Sequence, residues 1–378
     1  MVDHVRTREF RKALETNLKP GQVVLDLGAG TGIWALLAAK AGAGKVYAVE
    51  PNAAIEIGRR LAAENGLADK IEFIQGLSTD IELPQKADGV ISDLRGVIPI
   101  IQGHLGSIVD ARARLLKPGA WQIAEKDTLY ACLVENQAVH DSFARPWNDR
   151  RFELDLRLVL PYVMNQHRAY RRNPSERRTE PRELATLDYR CDLETTIHAE
   201  ATWQLESDLM VHGAVLWFES ELGGGARFST CPFLEPNERA WIYGNMLLPF
   251  EEPLALKAGD TADFQFKALD SQNGYQYFWQ LESGSERRRQ STFLGQLRVP
   301  GESHRISENF RPQLNRRAEL ERCALNLLAE GASTQEVAMR LQEEFPRNFK
   351  DYQAALNHVC RLGAKWFSNT QIDDQSHS

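Results

Sequence analysis

The chain has 378 residues, of which 43% are hydrophobic and 26% are charged, and its formal net charge is −7. This composition is typical of a globular protein with roughly two or three cores, and no apolar run approaches the roughly 18 residues that predict a membrane span. The acidic balance disfavours general nucleic-acid binding, and five dispersed cysteines without CxxC or CxH spacing argue against a metal site or a disulfide framework and favour a reducing cytoplasm.

The first predicted elements form a strand, a glycine turn and a helix within QVVLDLGAGTGIWALLAAK. Val23–Leu27 is a short apolar run, typical of a buried parallel strand. Gly28, Gly30 and Gly32 then alternate through a tight turn, and Ile33–Lys40 begins a helix. Such glycines allow a ligand to approach the backbone closely.

A second strand, residues 45–49, ends in Glu50, and an acid in this place can bind ribose hydroxyls. The spacing G-x-G-x-G and the presence of Asp26 inside the first strand weigh against a nicotinamide dinucleotide site. Both features resemble motif I of S-adenosylmethionine-dependent methyltransferases. That resemblance implies a site for this methyl donor; the alternative is that the glycines only serve helix–strand packing.

The alternation of helices and strands continues along the next part of the chain. We predict further elements at residues 53–65 (helix), 70–75 and 89–92 (strands), 102–116 (helix, ended by KPGA) and 121–124 (strand). This order predicts a doubly wound α/β sheet with its ligand at the carboxyl ends of the strands. After the third strand, Ser78, Thr79 or Asp80 could accept a hydrogen bond from adenine, although an exposed turn explains them almost as well.

The segment DHVRTREFRKAL, followed by motif I, resembles the protein arginine methyltransferase family. The resemblance implies that Arg6 contacts the carboxylate of the donor, that Gly28 and Gly30 line the cofactor, and that Glu50 binds the ribose. The stretch VHGAVLWFESELGGGARFSTCP resembles the β-barrel of that family, with short alternating strands. The resemblance covers residues 1 to about 295.

Two departures from the family concern segments around the expected site. The chain begins at Met1, shortly before Arg6, so the helix that closes over the cofactor in the family is expected to be missing or supplied differently. The threonine-histidine-tryptophan loop of the family corresponds to NERAW. Trp241 is present there, but Ala240 stands in the place of the histidine.

The third departure is in SDLRGVIPIIQGHL, which aligns with the double-glutamate loop. Asp93 takes the place of the first glutamate and Gln102 that of the second, so a guanidinium would meet only half of the usual charge. The pocket could still take arginine, compensated by Glu125; it could take a neutral nucleophile, with Asp93 as base and His104 nearby; or it could bind the donor without catalysis. Arg95 could repel a guanidinium, bind a substrate carboxylate or pair with an acid.

The domain organisation follows from the resemblance and from a change in composition near residue 298. We predict a donor-binding domain (1–128), a β-barrel domain (129–297) with an arm at about 146–187, a linker (298–314) and a helical module (315–368). The apolar patch of the arm, around Leu154, Leu158 and Tyr162, predicts a homodimer. In the module, Thr334 is expected to cap the second of three helices of winged-helix type. The module could bind a peptide, a partner or, less readily, DNA, or it could only cap the barrel.

These observations predict a cytoplasmic, S-adenosylmethionine-dependent methyltransferase resembling protein arginine methyltransferases. Its acceptor would be a side chain of a protein or peptide, with arginine favoured, lying between Asp93, Gln102 and His104. The alternatives are transfer to a non-guanidine nitrogen or oxygen and a non-catalytic, donor-binding partner protein. Neither a membrane nor, in our interpretation, nucleic acid is a partner.

Overall fold

A computed structural model describes residues 3–101, 103–148, 153–173, 175–271, 274–297, 311 and 313–366. The chain divides into two compact units, Met1–Leu297 and Arg298–Ser378, and the division falls where the predicted linker begins. Among the described residues, no helix combines the length and apolarity that a membrane span needs.

The first part of the larger unit is a parallel sheet with strand order β3-β2-β1-β4-β5. Its elements are α1 His4–Asn17, β1 Val23–Leu27, α2 Ile33–Lys40, β2 Lys45–Glu50, α3 Ile55–Glu64, β3 Ile71–Gln75, β4 Ala87–Ser92, α4 His104–Arg114 and β5 Leu116–Ile123. Every residue of β1 is buried, because helices cover both faces of the sheet. The predicted doubly wound α/β fold is confirmed.

The helix ends within two residues of the predicted end before KPGA, but the prediction that the next strand begins only at Trp121 was wrong. Helix α4 ends at Arg114, and β5 already begins at Leu116. Leu116 pairs with Ala87, but the register then shifts, so that Gly89 pairs with Trp121. The polar Lys-Pro-Gly segment is accommodated in this irregularity of an edge strand, where a missing proline N–H costs no ladder hydrogen bond.

The rest of the larger unit consists of two antiparallel sheets, as a barrel-type domain requires. Their strands are β6 Lys126–Glu135, β7 Arg168–Ala169, β8 Arg177–Arg178, β9 Arg182–Asp188, β10 Ile197–Gln204, β11 Leu209–Gly223, β12 Ala226–Ser229, β13 Met246–Leu256, β14 Thr261–Leu269, β15 Gln276–Ser283 and β16 Glu286–Ser291. Strand β10 alternates strictly between buried and exposed residues, so one face packs on the core. Helices α5 Gln137–Asn148 and α6 Leu160–Met164 lie between β6 and β7.

The smaller unit contains α7 Arg316–Ala329, α8 Thr334–Glu344 and α9 Tyr352–Trp366. The predicted cap of α8 was off by one residue: Ser333 has an extended backbone and accepts from the N–H of Glu336, whose carboxylate bonds back to Ser333 in a capping box. No strand occurs among the residues described in this unit, so the likeness to a winged helix is limited to the helices.

Candidate functional site

The glycine turn after β1 presents its backbone at the carboxyl edge of the parallel sheet. Gly28, Gly30 and Gly32 all have positive φ, between 55° and 75°. A Cβ on Gly28 would lie 2.1 Å from a methyl carbon of Leu94, whereas a Cβ on Gly30 would have no neighbour within 4 Å. Gly28 is therefore required by packing, and Gly30 leaves an open approach to the backbone.

The carboxylate of Glu50 is fixed at the end of β2 by two backbone donors. The N–H of Gly30 donates to its Oε2 and the N–H of Asn52 to its Oε1, both at 2.9 Å. The first of these bonds joins the acid directly to the glycine turn. A carboxylate held in this way keeps lone pairs for two adjacent hydroxyls, as a ribose would offer.

A cleft of about 230 Å³ opens beside this turn and is lined by Gly28, Leu77, Ser78 and His104 among others. Ser78 is buried in its wall, within a short 3-10 turn. Thr79 is exposed instead, and its hydroxyl donates to Asp80. Of the three residues considered for the adenine contact, the structure brings Ser78 to the cleft, whereas Thr79 and Asp80 are exposed and do not line it.

Asp26 lies beneath the turn, 1% exposed, and its Oδ2 accepts from the N–H of Ala35 in α2 at 2.9 Å. Burial raises the pKa of Asp26 to about 7, and the charges of Asp93 and Glu50 add to this shift. The carboxyl group therefore fixes the start of α2 relative to β1. It changes its charge close to neutral pH.

The raised pKa of Asp26 predicts that the chain loses stability as the pH rises. The folded chain holds the proton up to a pH near 7, whereas the unfolded chain releases it above 3.8. The stability that the protonated Asp26 contributes is thus complete below pH 3.8 and is lost as the pH rises to about 7. The loss amounts to at most about 4 kcal/mol. We expect the free energy of unfolding of the wild type, relative to Asp26→Asn, to fall by up to this amount between acid and mildly alkaline pH.

Asp88 provides a control, because its pKa is shifted in the opposite direction to that of Asp26. Hydrogen bonds from Lys117 and from the N–H of Val23 lower the pKa of Asp88, so its contribution is lost as the pH falls. Urea unfolding of Asp88→Asn should therefore differ most from the wild type at neutral pH. A pH-independent difference between wild type and Asp26→Asn would refute the buried-acid explanation.

Arg6 and Asp93, predicted as ligands of donor and acceptor respectively, contact each other. The Nε of Arg6 donates to Oδ2 of Asp93 at 2.7 Å, and its Nη2 donates to the same oxygen. The guanidinium also lies 5.3 to 5.8 Å from the ring centres of Phe10, Trp34 and Tyr243. The Asp93 side chain is only 5% exposed, so this ion pair is largely shielded from water.

Tyr243, in the loop after Trp241, is a further hydrogen-bond donor to Asp93. Its hydroxyl donates to Oδ1 of Asp93 at 2.6 Å and accepts from Nε of Arg6 at 3.1 Å. Buried Asp3 ties this loop to α1, since its two oxygens accept from the N–H groups of Trp241 and Arg6. The loop that lacks the family histidine thus provides a phenol.

Arg95 is neither a surface residue nor free to bind a substrate. Its side chain is 1% exposed and its Nε donates to Oδ2 of Asp127, itself 0% exposed, at 2.6 Å. Its Nη1 donates to the carbonyl of Ser92 and, at 3.4 Å, to Oδ1 of Asp93, while Nη2 reaches Ser220. Of the three interpretations of Arg95, pairing with an acid is the one found, in the interior of the unit.

His104 belongs to this buried network and to the wall of the cleft. The hydroxyl of Tyr189 donates to Asp127 at 2.6 Å, so it accepts from Nε2 of His104, 3.1 Å away. Burial, helped by the charge of Arg95, lowers the pKa of His104 to about 3. The imidazole is thus neutral. Its ring packs against Tyr189, whereas the sequence predicted that His104 would lie beside the methyl acceptor.

Gln102 and Glu125 were also expected close to the methyl acceptor. Gln102 lies outside the described residues. Glu125, considered as a compensating charge, accepts from Arg190 at 3.1 Å. Both oxygens of Asp93 therefore have internal donors, and a guanidinium could use this acid only after one of those donors had moved.

Several residues of this site were missed by reasoning from the sequence: Tyr243, Asp127, Tyr189 and Trp34. Tyr243 had a signal, because it follows Trp241 closely in the loop that resembles a family motif. Asp127 and Tyr189 had none, since a single acid in one barrel strand and a single tyrosine just after another predict no contact with residues far away in sequence.

The known proteins that this chain is similar to are named as methyltransferases. Residues 3–125 match a family model described as Ribosomal protein L11 methyltransferase (PrmA). A probable protein arginine N-methyltransferase 6.2 of Oryza sativa is 30% identical over 238 residues, which span 60% of this chain and only 60% of that relative. Protein arginine N-methyltransferase 6 of Xenopus laevis is 28% identical over 284 residues, 71% of this chain and 83% of the relative.

Solved structures show the same likeness. A chain of the Trypanosoma brucei PRMT1 enzyme-prozyme heterotetrameric complex with AdoHcy has a TM-score of 0.66 and 25% identity, covering 77% of this chain and 95% of that one. Arabidopsis thaliana protein arginine methyltransferase 10, at 20% identity and the same TM-score, shares the fold. The fold and the glycine cleft thus define a methyltransferase-type domain followed by antiparallel sheets. The predicted resemblance to the protein arginine N-methyltransferases is confirmed.

Proposed function

We propose that this chain is an S-adenosylmethionine-dependent methyltransferase that modifies a side chain of a protein or peptide, with arginine as the favoured acceptor. The observation that carries the proposal is the bond between the open glycine turn and the Glu50 carboxylate at the ends of neighbouring strands. This arrangement fits a nucleoside, and the relatives are named as arginine methyltransferases.

Each residue of the site has a definite task in this proposal. Gly28, Gly30 and Glu50 would hold the nucleoside, and Arg6 would pair with the carboxylate of the donor. The donor, when bound, supplies a methyl group already activated on sulfonium. The chain then needs only to position the nucleophile, and Asp93 would orient it and balance its charge.

The saturation of Asp93 favours a second group of candidates. Arg6, Arg95 and Tyr243 already occupy its oxygens, and Ala240 replaces the histidine of the family loop. A neutral nitrogen or oxygen would need less free charge than a guanidinium does. The same saturation suits a donor-binding partner without catalysis, and the related T. brucei structure is titled an enzyme-prozyme complex.

Incubation of the purified chain with methyl-labelled donor and an arginine-containing peptide separates these functions. Methylarginine in the hydrolysed peptide supports the main proposal. Label on histidine, an amide or a hydroxyl, or tight donor binding without turnover, supports the alternatives. Glu50→Gln should abolish labelling, whereas Glu72→Gln on the next strand should not. Binding of a nicotinamide dinucleotide instead of the donor would overturn the proposal.

Gln102→Glu tests whether a guanidinium is the acceptor. A second carboxylate would restore the missing charge, so we expect kcat/KM for an arginine peptide to rise by about tenfold. Gln353→Glu, which adds the same charge to an exposed position in the smaller unit, serves as the matched control. A fall in turnover specific to Gln102→Glu would indicate a neutral acceptor.

We also propose a homodimer formed through the arm, in the cytoplasm. Leu154, Leu158 and Tyr162 are 58%, 82% and 37% exposed and lie within one short segment of the arm, which fits the expected apolar contact surface. The T. brucei relative is described as a heterotetramer, so assembly has a precedent in this fold. Sedimentation of Leu158→Glu should show a smaller species than that of the wild type.

A further inference from the structure

The smaller unit carries a cavity that the methyltransferase site does not use. It has a volume of about 500 Å³ and lies between α7, α9 and the turn after α8. Its floor is formed by Leu320, Phe349 and Leu362, which belong to the core of the unit and are 3%, 6% and 5% exposed. A bulky apolar side chain entering the cavity would therefore meet the hydrophobic core directly.

The rim of the cavity is positively charged. Arg317 and Arg361 both line it, together with a single carboxylate, Glu321. Arg317 is paired with Glu321 at 3.3 Å, but its side chain remains 85% exposed. Arg361 is exposed, and within the part of the chain that the structure describes it has no carboxylate closer than 4.0 Å.

His358 extends the polar rim. Its ring lies 5.4 Å from that of Phe349, and its Nε2 has no hydrogen-bond partner among the described atoms. Burial lowers the pKa of His358, and Arg361 adds to the effect, so the imidazole is neutral at pH 7. It adds no charge, and its Nε2 is buried, so the cationic character of the rim comes from its guanidinium groups.

We propose that this cavity is a docking site for an acidic peptide segment, in which a carboxylate pairs with Arg361 and a neighbouring aliphatic or aromatic side chain fills the apolar floor. The charge of the rim excludes a basic segment. A nucleic acid would require several cations and stacking rings, whereas this cavity has two arginines opposed by Glu321 in its rim and a single phenylalanine in its floor. The occupant is therefore a polypeptide of this composition.

The test is a selection of displayed random nonapeptides on the intact chain, followed by fluorescence titration of the enriched peptides. We expect enriched peptides to combine Asp or Glu with Leu, Ile or Phe, to bind about tenfold more weakly to Arg361→Gln, and to lose binding to Arg361→Glu. Arg340→Gln is the matched control, because Arg340 lies on α8, pairs with Glu343 and Glu344, and does not line the cavity.

Three results would overturn the proposal. One is the absence of an acidic consensus, and another is equal binding of the enriched peptides to the wild type and to Arg361→Glu. The third is displacement of the peptides by a mixed-sequence RNA oligonucleotide whose own binding depends on Arg361. Since Arg361 is exposed, its variants should fold normally, and circular dichroism can verify this.

Discussion

Replacing Arg95 with methionine is expected to lower the free energy of unfolding by about 3–5 kcal/mol. The side chains of Arg95 and Asp127 are 1% and 0% exposed and share a hydrogen bond of 2.6 Å. Removal of the guanidinium would leave Asp127 as an uncompensated buried charge, with only the hydroxyl of Tyr189 to stabilise it. Urea unfolding followed by circular dichroism measures the loss.

A compensating change makes this prediction specific to charge. In Arg95→Met combined with Asp127→Asn, the amide oxygen can still accept from Tyr189 and no buried charge is left unpaired. We therefore expect the double variant to recover most of the stability. Arg8→Met is the control, because Arg8 is 67% exposed and its ion pair with Glu9 should contribute little. Equal stability of Arg95→Met and the wild type would contradict the role assigned to this pair.

The same double variant also bears on the acceptor. Arg95 lies in the same loop as Asp93, the loop that was predicted to bind a guanidinium, and its guanidinium donates to Asp93. Without its charge, Asp93 would be neutralised by Arg6 alone. A gain in methylation of an arginine peptide would show that Arg95 limits the use of guanidinium acceptors.

Much of the parallel sheet could be predicted from the sequence because its signals are local. Val23–Leu27 and Ile33–Lys40 have the predicted bounds, since a short apolar run, a glycine turn and an apolar helix each follow from neighbouring residues. The errors arose where two local signals competed. Lys-Pro-Gly indicates a helix stop as well as an irregular strand, and Ser333 and Thr334 can both cap a helix.

Some residues of the candidate site could be named from the sequence, but their partners could not, and neither could Tyr243, Asp127, Tyr189 and Trp34. Glu50 and Gly30 are joined as the strand-end geometry implies. The contact of Arg6 with Asp93 joins residues far apart in sequence, and the bonds from Tyr243 and to Asp127 depend on how the barrel strands pack on the sheet. Such contacts leave no periodic pattern. Aligned motifs could therefore name Asp93 as an acid without revealing that its charge is already balanced.

Arg6→Gln is expected to weaken binding of S-adenosylhomocysteine by roughly 30- to 100-fold, corresponding to the approximately 2–3 kcal/mol of a charge-assisted bond. In the structure the guanidinium is held against Asp93 and three aromatic rings, so it is positioned before any donor arrives. Two of its five donor hydrogens suffice for Asp93, and others remain for a ligand carboxylate. Calorimetric titration of the wild type and the variant measures the difference.

The carboxylate-free analogue methylthioadenosine isolates the interaction that Arg6 is expected to make. It should bind the wild type and Arg6→Gln with similar affinity, because it retains the nucleoside contacts to Gly28, Gly30 and Glu50 but has no group for the guanidinium. Arg8→Gln on the same helix should bind both ligands as the wild type does, since Arg8 faces solvent. If Arg6→Gln weakened both ligands equally, Arg6 would act by supporting the shape of the cleft, because a lost carboxylate contact cannot affect a ligand without a carboxylate.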